Sequence, residues 1–366
     1  MRLQDCRVCM VGPHYPRPGG VTTQVELLSE YLRNDGVDVH SVDTNVQSLR
    51  RWGGVGRALL PFAQSVIVPG RLWRAAQGGD LVHVHLSSYW GFYLPISASL
   101  LVGRLKGLPV VATYHGGKAA QFVQRHKAIA RAPLARIDAL IALSRYTAPV
   151  FEALGIHPVI IPNLVREEEF SAKPAECFAR DRWRGQRLLW IKQFNQVGNP
   201  QQMVRAFARI KQRLPDAMLT MIGEGELRSE TEALSRSLSL PVTFTGRVPF
   251  AEIKTHYENA DIFISTSTVD NQPSTFLEAS SSGLPIVATA VGGVPFTVEN
   301  NVNALLVEPG DEQALADAVV RIANDPRLAY RLSRAAVQNA ETFSWPSIRD
   351  KITDLYLSVM EKPIQG

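Results

Sequence analysis

Cysteine is scarce in this 366-residue sequence, long apolar runs are missing and no Asp-x-Asp triplet occurs; each absence narrows what the protein can be. The three cysteines, Cys6, Cys9 and Cys177, form neither a C-x-x-H nor a paired C-x-x-C pattern. That argues against a zinc site or a disulfide framework and fits a reducing compartment. No apolar run approaches the roughly 20 residues of a membrane-spanning helix, and the opening MRLQDCRVCMVG is too polar for a signal peptide. A cytoplasmic protein is expected. Tandem repeats and low-complexity tracts are also missing. The basic residues follow no helix-turn-helix, zinc or single-strand-binding pattern, so nucleic acid is not an expected partner.

What is present is enough for two cores. With 45% hydrophobic residues, the length exceeds what one core usually supports, so two domains of roughly 150–200 residues each are expected. Charge divides unevenly between them. Residues 1–165 hold 17 Lys and Arg against 9 Asp and Glu, whereas residues 166–366 hold 22 against 25. Much of the excess lies in Arg50–Arg74, with five arginines and no acid, and in Lys118–Arg136. Basic segments interleaved with Trp52, Leu59, Leu60, Phe62 and Trp73 suit an anionic membrane surface; a solvated helix face or an arginine-rich acceptor pocket would read the same way.

Short apolar runs alternate with helical stretches along the whole chain. Strands are expected at Arg7–Gly12, Val37–Val42, Leu81–His85, Val110–Thr113, Ala139–Leu143 and Val159–Ile161. A second series runs Arg187–Ile191, Ala217–Ile222, Val242–Thr245, Ile262–Ser265, Ile286–Ala288 and Ala304–Val307, with helices starting near Pro200, Gly225, Phe250, Ser274, Asp311 and Pro326. Such alternation predicts an α/β protein of two doubly wound, Rossmann-like domains, spanning 1–165 and 166–345, with a final helix over 346–366. The charged stretch from Asn163 to about Arg187 reads as the linker.

Ligands of parallel sheets sit beyond the carboxyl ends of the strands, so the loops there carry the chemistry. Residues 261–311 read as three strand-to-helix turns in succession. Asp270 in a loop and Glu278 inside the expected helix Thr275–Ser282 are spaced to turn two carboxylates toward one pocket, where vicinal hydroxyls would donate to them. Gly292-Gly293, ahead of a helix-like Val294–Glu299, offers backbone amides to an anion, and so does Gly19-Gly20 at the start of a helix. Taken singly, a helical glutamate is a surface residue and a Gly-Gly pair a turn; their order within one unit favours a pocket. Tyr114-His115-Gly116-Gly117 follows a strand and puts His115 at the sheet edge. On the preceding strand His83 and His85 share a face by the two-residue period, with His85 nearer the carboxyl end.

The run DIFISTS, DNQPS, LEA, GLPIVAT, VGGVP and LLVEPGD, with GGV, HGG and a terminal FSW, resembles the family-4 retaining glycosyltransferases of the GT-B fold, in their Asp-Asn-x-Pro variant. The resemblance implies two domains facing a cleft and a last helix crossing back to the first domain. It implies His115, Asp270 and Glu278 as catalytic residues, with His115 and His85 on the acceptor side, Asp270 on the sugar hydroxyls and Glu278 on the ribose. Gly19, Gly20, Gly292 and Gly293 would meet phosphates, Asn271, Ser274 and Thr275 the sugar or phosphates, and Gly223 the base side. The donor would be a nucleotide-diphosphate sugar and the acceptor a glycan or polyprenyl-linked molecule, with front-face transfer and neither metal nor cofactor. Bacterial surface polysaccharide or glycolipid synthesis at the inner face of the membrane fits that chemistry. One departure stands out. Where the family commonly has arginine and lysine beside the diphosphate, this chain has Gln193 and Gly198, leaving Lys192 and Arg247 as the available cations. A catalytically weak nucleotide-sugar-binding subunit or sensor on the same fold is the alternative.

Overall fold

The computed structural model describes residues 2–14, 19–45 and 53–361, with side chains undescribed at 53–63 and at position 167. Arg50, Arg51 and Trp52 therefore lie outside the described residues, as do the side chains of Arg57, Leu59, Leu60 and Phe62. Two compact units are present: Met1–Leu164 together with Trp345–Gly366, and Val165–Ser344.

Each unit is built on a six-stranded parallel sheet. In the first, β1 (Arg7–Gly12), β2 (Asp38–Asp43), β3 (Leu81–Leu86), β4 (Val110–Tyr114), β5 (Ala139–Ala142) and β6 (Val159–Ile160) lie in the order β2-β1-β3-β4-β5-β6. In the second, β7 (Arg187–Ile191), β8 (Met218–Ile222), β9 (Val242–Gly246), β10 (Ile262–Ser265), β11 (Ile286–Thr289) and β12 (Ala304–Val307) lie in the order β12-β11-β10-β7-β8-β9. The doubly wound fold expected from the alternation is present in both. Strands β3, β10 and β11 are buried along their whole length, because helices cover both faces of a parallel sheet and a near-continuous apolar run is what such a strand needs.

The winding reverses once in each sheet. After β1 the chain lays β2 on one side and later β3 on the other; after β7 it lays β8 and β9 on one side and β10 on the other. At such a reversal the loops leaving the two adjacent strands part in opposite directions and open a crevice at the carboxyl edge. The two crevices are therefore bounded by the loops after β1 and β3, and by those after β7 and β10.

Trp345–Met360 is a helix of the first unit. Its Ile348, Ile352, Tyr356 and Val359 join the core formed by Val8, Met10, Val25 and Leu28, each such burial contributing roughly 2 kcal/mol. Trp345 donates from Nε1 to Asp35 Oδ2 at 3.0 Å and stacks on Tyr31. The stretch read as a linker is partly core. Phe178 and Trp183 stack on each other, buried with the second unit's apolar residues, and Phe170 is buried beside Tyr257.

Two expectations are corrected. Val294–Glu299 is not a helix: only the 3₁₀ turn Val294–Phe296 forms, since the chain turns again at 299–303 to enter β12. The helix expected near Gly225 starts at Arg228, because Leu227 first donates its amide to the Phe194 carbonyl. Among the described residues no helix is long and apolar enough to cross a membrane.

Candidate functional site

The crevice of the second unit gathers most of the residues expected from sequence. Lys192 follows β7 and Asp270 follows β10; their side chains form an ion pair, Nζ to Oδ2. Asp270 is further held by the Asn271 amide on Oδ1 at 3.0 Å and by Ser267 Oγ at 3.4 Å. The carboxylate is thus oriented by three donors, two on Oδ2 and one on Oδ1, with both charges kept part-buried. The loops themselves are tied together. Trp190 Nε1 donates to Thr266 Oγ1, which donates to the Gly198 carbonyl, and Thr289 Oγ1 donates to the Ser267 carbonyl.

Glycine lets these loops approach. A Cβ on Gly292, whose φ is +53°, would strike the Asp270 carbonyl, and one on Gly293 would strike that of Asn271. The Gly293 amide donates to the Asp270 carbonyl at 3.0 Å. This corrects the expectation for Gly293: its amide is spent on loop packing and is not free for an anion here. Gly223 plays the same part on the other side of β7, where a side chain would strike the Lys192 carbonyl. Gly198, the counterpart of the family's lysine, is closed to any side chain by the Gln193 carbonyl. The missing cation is therefore a feature of the backbone path as well as of the residue type.

Ser274 and Thr275 open the helix Ser274–Ser281, whose amino end follows the loop that bears Asp270. One turn on, Glu278 accepts from the Tyr257 hydroxyl at 2.7 Å. Burial holds the Glu278 carboxyl above the usual carboxylate range, against the opposing pull of that hydrogen bond, and pushes the Tyr257 hydroxyl well above its ordinary value. Arg247 is exposed just after Gly246 at the end of β9, at the far side of the sheet from β10.

The first unit's crevice is a different chemical object. His83 and His85 do share a face, their rings stacked at 4.5 Å, and His85 Nδ1 lies 2.8 Å from His115 Nε2. His83 bridges Tyr356 and Thr113 at 2.6 and 2.7 Å. Burial pulls His83 down to about 3 and His115 to about 4, and holds His85 well below its ordinary value with further help from its imidazole neighbours. All three are neutral at pH 7, so His115 offers a hydrogen bond and no charge. Its loop is fixed by Gly116, where a Cβ would lie 2.7 Å from Ser88 Oγ, and by its own amide on the Leu86 carbonyl. Gly19 caps and Gly20 begins the helix Gly20–Asn34, and a Cβ on either would meet no described residue within 4 Å.

Sequence reasoning missed Tyr257, Ser267 and a pair formed by His14 and Glu26. A tyrosine on the inner face of a helix and a lone histidine after a strand carry no signal until their partners are placed.

Residues 18–169 match the family model described as Glycosyltransferase Family 4, and residues 184–340 match that described as Glycosyl transferases group 1. The two matches, each on less than half of the chain, fall mainly on one unit each. A D-inositol 3-phosphate glycosyltransferase of Corynebacterium aurimucosum is 29% identical over 181 residues, 47% of this chain and 43% of the relative. The matched stretch spans less than half the length of this and three further Corynebacterium relatives. D-inositol 3-phosphate glycosyltransferase 1 of Catenulispora acidiphila is 25% identical over 346 residues, 84% of this chain and 78% of the relative. The crystal structure of Anabaena HepE in complex with UDP superposes with a TM-score of 0.74 at 17% identity, covering 96% of this chain and 100% of that one. Both units are thus doubly wound in the manner of the GT-B fold.

Proposed function

We propose that the chain is a retaining glycosyltransferase of the Asp-Asn-x-Pro subgroup. It moves a hexose from a nucleotide-diphosphate sugar to a glycan or lipid-linked acceptor in bacterial surface polysaccharide or glycolipid synthesis. The observation that carries this reading is the oriented Lys192–Asp270 pair at the second unit's winding reversal, beside the amino end of the helix Ser274–Ser281. An ammonium and first-turn amides suit a diphosphate, and an oriented carboxylate suits sugar hydroxyls. The binding of UDP by HepE and of UDP-glucose by the same neighbour supports a nucleotide-sugar donor.

In that reading the bond from the anomeric carbon to the diphosphate oxygen breaks, the acceptor oxygen bonds to that carbon from the same face, and the acceptor proton passes to the departing diphosphate. Lys192 and the amides of Ser274 and Thr275 stabilise the growing negative charge. Asp270 orients the sugar, Glu278 the ribose, and neutral His115 the acceptor side. No metal is required, and transfer is expected to survive a chelator; full loss in EDTA with recovery on adding manganese or magnesium would overturn that part.

The acceptor reading extends to an anionic membrane at the inner face of the cell. Trp73 is 43% and Leu105 65% exposed, with Lys106 Nζ 4.3 Å over the Trp73 ring, so apolar and basic groups lie together at the surface. Arg71 is committed elsewhere, to the carbonyls of Asp43 and Asn45. Sedimentation with phosphatidylglycerol vesicles at low salt but not with neutral ones supports this face as the contact; equal behaviour with both refutes it.

The function is tested by incubating the chain with UDP- and GDP-hexoses, with and without alkyl glycosides, and measuring nucleotide release and glycoside product. Product that requires the acceptor is expected. Tight donor binding with no release under any condition would instead identify the sensor suggested by Gln193 and Gly198.

A further inference from the structure

At the first unit's crevice a buried side-chain nitrogen has no hydrogen-bond partner among the described residues. His14 stands two residues beyond β1 and is only 9% exposed. Its Nδ1 lies 2.8 Å from Glu26 Oε1, and its backbone amide donates to Asp43 Oδ1 at 3.2 Å. Nε2 has no partner among the described residues. The position is built from several elements. A Cβ on Gly12 would lie 2.7 Å from Val25 and 3.4 Å from His85, so the end of β1, the helix bearing Glu26 and strand β3 close up around that glycine. Asp43 in turn orients the Asn45 amide, and Arg71 donates to the carbonyls of both.

An ionised carboxylate only accepts, so Glu26 places the ring proton on Nδ1 and leaves Nε2 with a lone pair. A buried nitrogen in that state is satisfied by a donor arriving from outside. A hydroxyl can donate to that lone pair, whereas an ionised phosphate oxygen, which only accepts, cannot.

We propose that the His14–Glu26 pair is a receptor for a hydroxyl of the acceptor, with Nε2 of His14 taking its hydrogen bond; this rests on the transferase reading above. Its test uses the full chain, the UDP- or GDP-hexose that it turns over fastest, and an alkyl glycoside acceptor. His14→Phe is expected to raise the acceptor KM about tenfold, with acceptor-free nucleotide release within about twofold of the starting protein. His14→Gln, whose amide oxygen reaches the Nε2 position, should recover part of the loss. An unchanged acceptor KM overturns the proposal, and so does an equal fall in transfer and release accompanied by a lower melting temperature. Should the unaltered chain release nucleotide from no hexose donor, the transferase reading falls, and the pair is decided by imidazole ¹⁵N spectra. Movement of the His14 Nε2 resonance on adding methyl α-D-glucopyranoside, absent in Glu26→Gln, sustains hydroxyl recognition; no movement overturns it.

Discussion

The two crevices arise from the same topology and differ in electrostatics. At the reversal between β1 and β3 the chain assembles neutral imidazoles, His83, His85 and His115, each stripped of its proton by burial. At the reversal between β7 and β10 it assembles an ion pair, Lys192 with Asp270, beside a helix amino terminus and a buried carboxyl. The fold supplies a crevice in each case, and the loop residues decide what it can bind. A neutral edge suits hydroxyls, whose recognition needs direction more than charge; a charged edge suits a leaving diphosphate. That division would be lost if both edges answered alike to mutation and pH.

The largest separation is expected in rate. On the proposed transferase reading, Lys192→Met removes a cation that meets the developing charge, and transfer should fall about 100- to 1000-fold, whereas His115→Gln, which removes no charge, should cost about tenfold. Steady-state kinetics with a fixed donor compares them, and equal losses would erase the distinction between the edges.

Glu278 sharpens it further. Glu278→Gln keeps an oxygen for the Tyr257 hydroxyl and should weaken nucleotide binding by about ten- to a hundredfold while leaving the melting temperature in place. Glu278→Ala leaves the Tyr257 hydroxyl only its long contact with the Thr275 carbonyl, at 3.5 Å, and should also cost about 1–3 kcal/mol of stability. Calorimetry of both variants separates the binding role from the structural one; equal destabilisation in the two would make Glu278 a core residue first.

Stability should depend on pH with opposite sign in the two units. His83 and His115 keep their pKa values near 3 and 4 in the folded chain, while unfolded histidine titrates near 6.5. Between about pH 6.5 and 4 the unfolded state therefore binds more protons, and each histidine removes up to about 1.4 kcal/mol of stability per pH unit on acidification. Glu278 is raised, so its native form binds a proton more readily than the unfolded chain, and its contribution weakens as pH rises through the carboxylate range. Hydrogen exchange resolved by segment, at pH 7 and pH 5, should show the first unit opening more readily at the lower pH. Protection rising in the first unit on acidification would contradict the neutral-imidazole edge.

The smallest effect concerns the missing cation. Restoring the family's lysine by Gly198→Lys should not raise the rate and should lower the melting temperature by a few degrees, since any Cβ there meets the Gln193 carbonyl. A faster, equally stable variant would mean that the loop after β7 yields easily.

How far the sequence could be read depended on the distance over which each feature is determined. Strands β7, β10 and β12 were legible to the residue because each is an apolar run closed by polar or glycine loops. The helices at Pro200, Phe250, Ser274 and Pro326 were legible from their opening residues. The Val294 segment was not, because Pro295 permits a helical start while the entry into β12 forbids its continuation. Gly292 and Gly293 were visible as glycines, yet their reason was hidden. They serve the carbonyls of Asp270 and Asn271, some twenty residues earlier in the chain.

By itself the sequence determined two doubly wound domains and the loops in which chemistry would lie, since burial on both faces of a strand is written in consecutive residues. Only the tertiary structure decided that Lys192 meets Asp270, Tyr257 meets Glu278 and His14 meets Glu26. Those pairings depend on which strands stand side by side where the winding reverses and on how closely their loops approach, and no local pattern of residues encodes either.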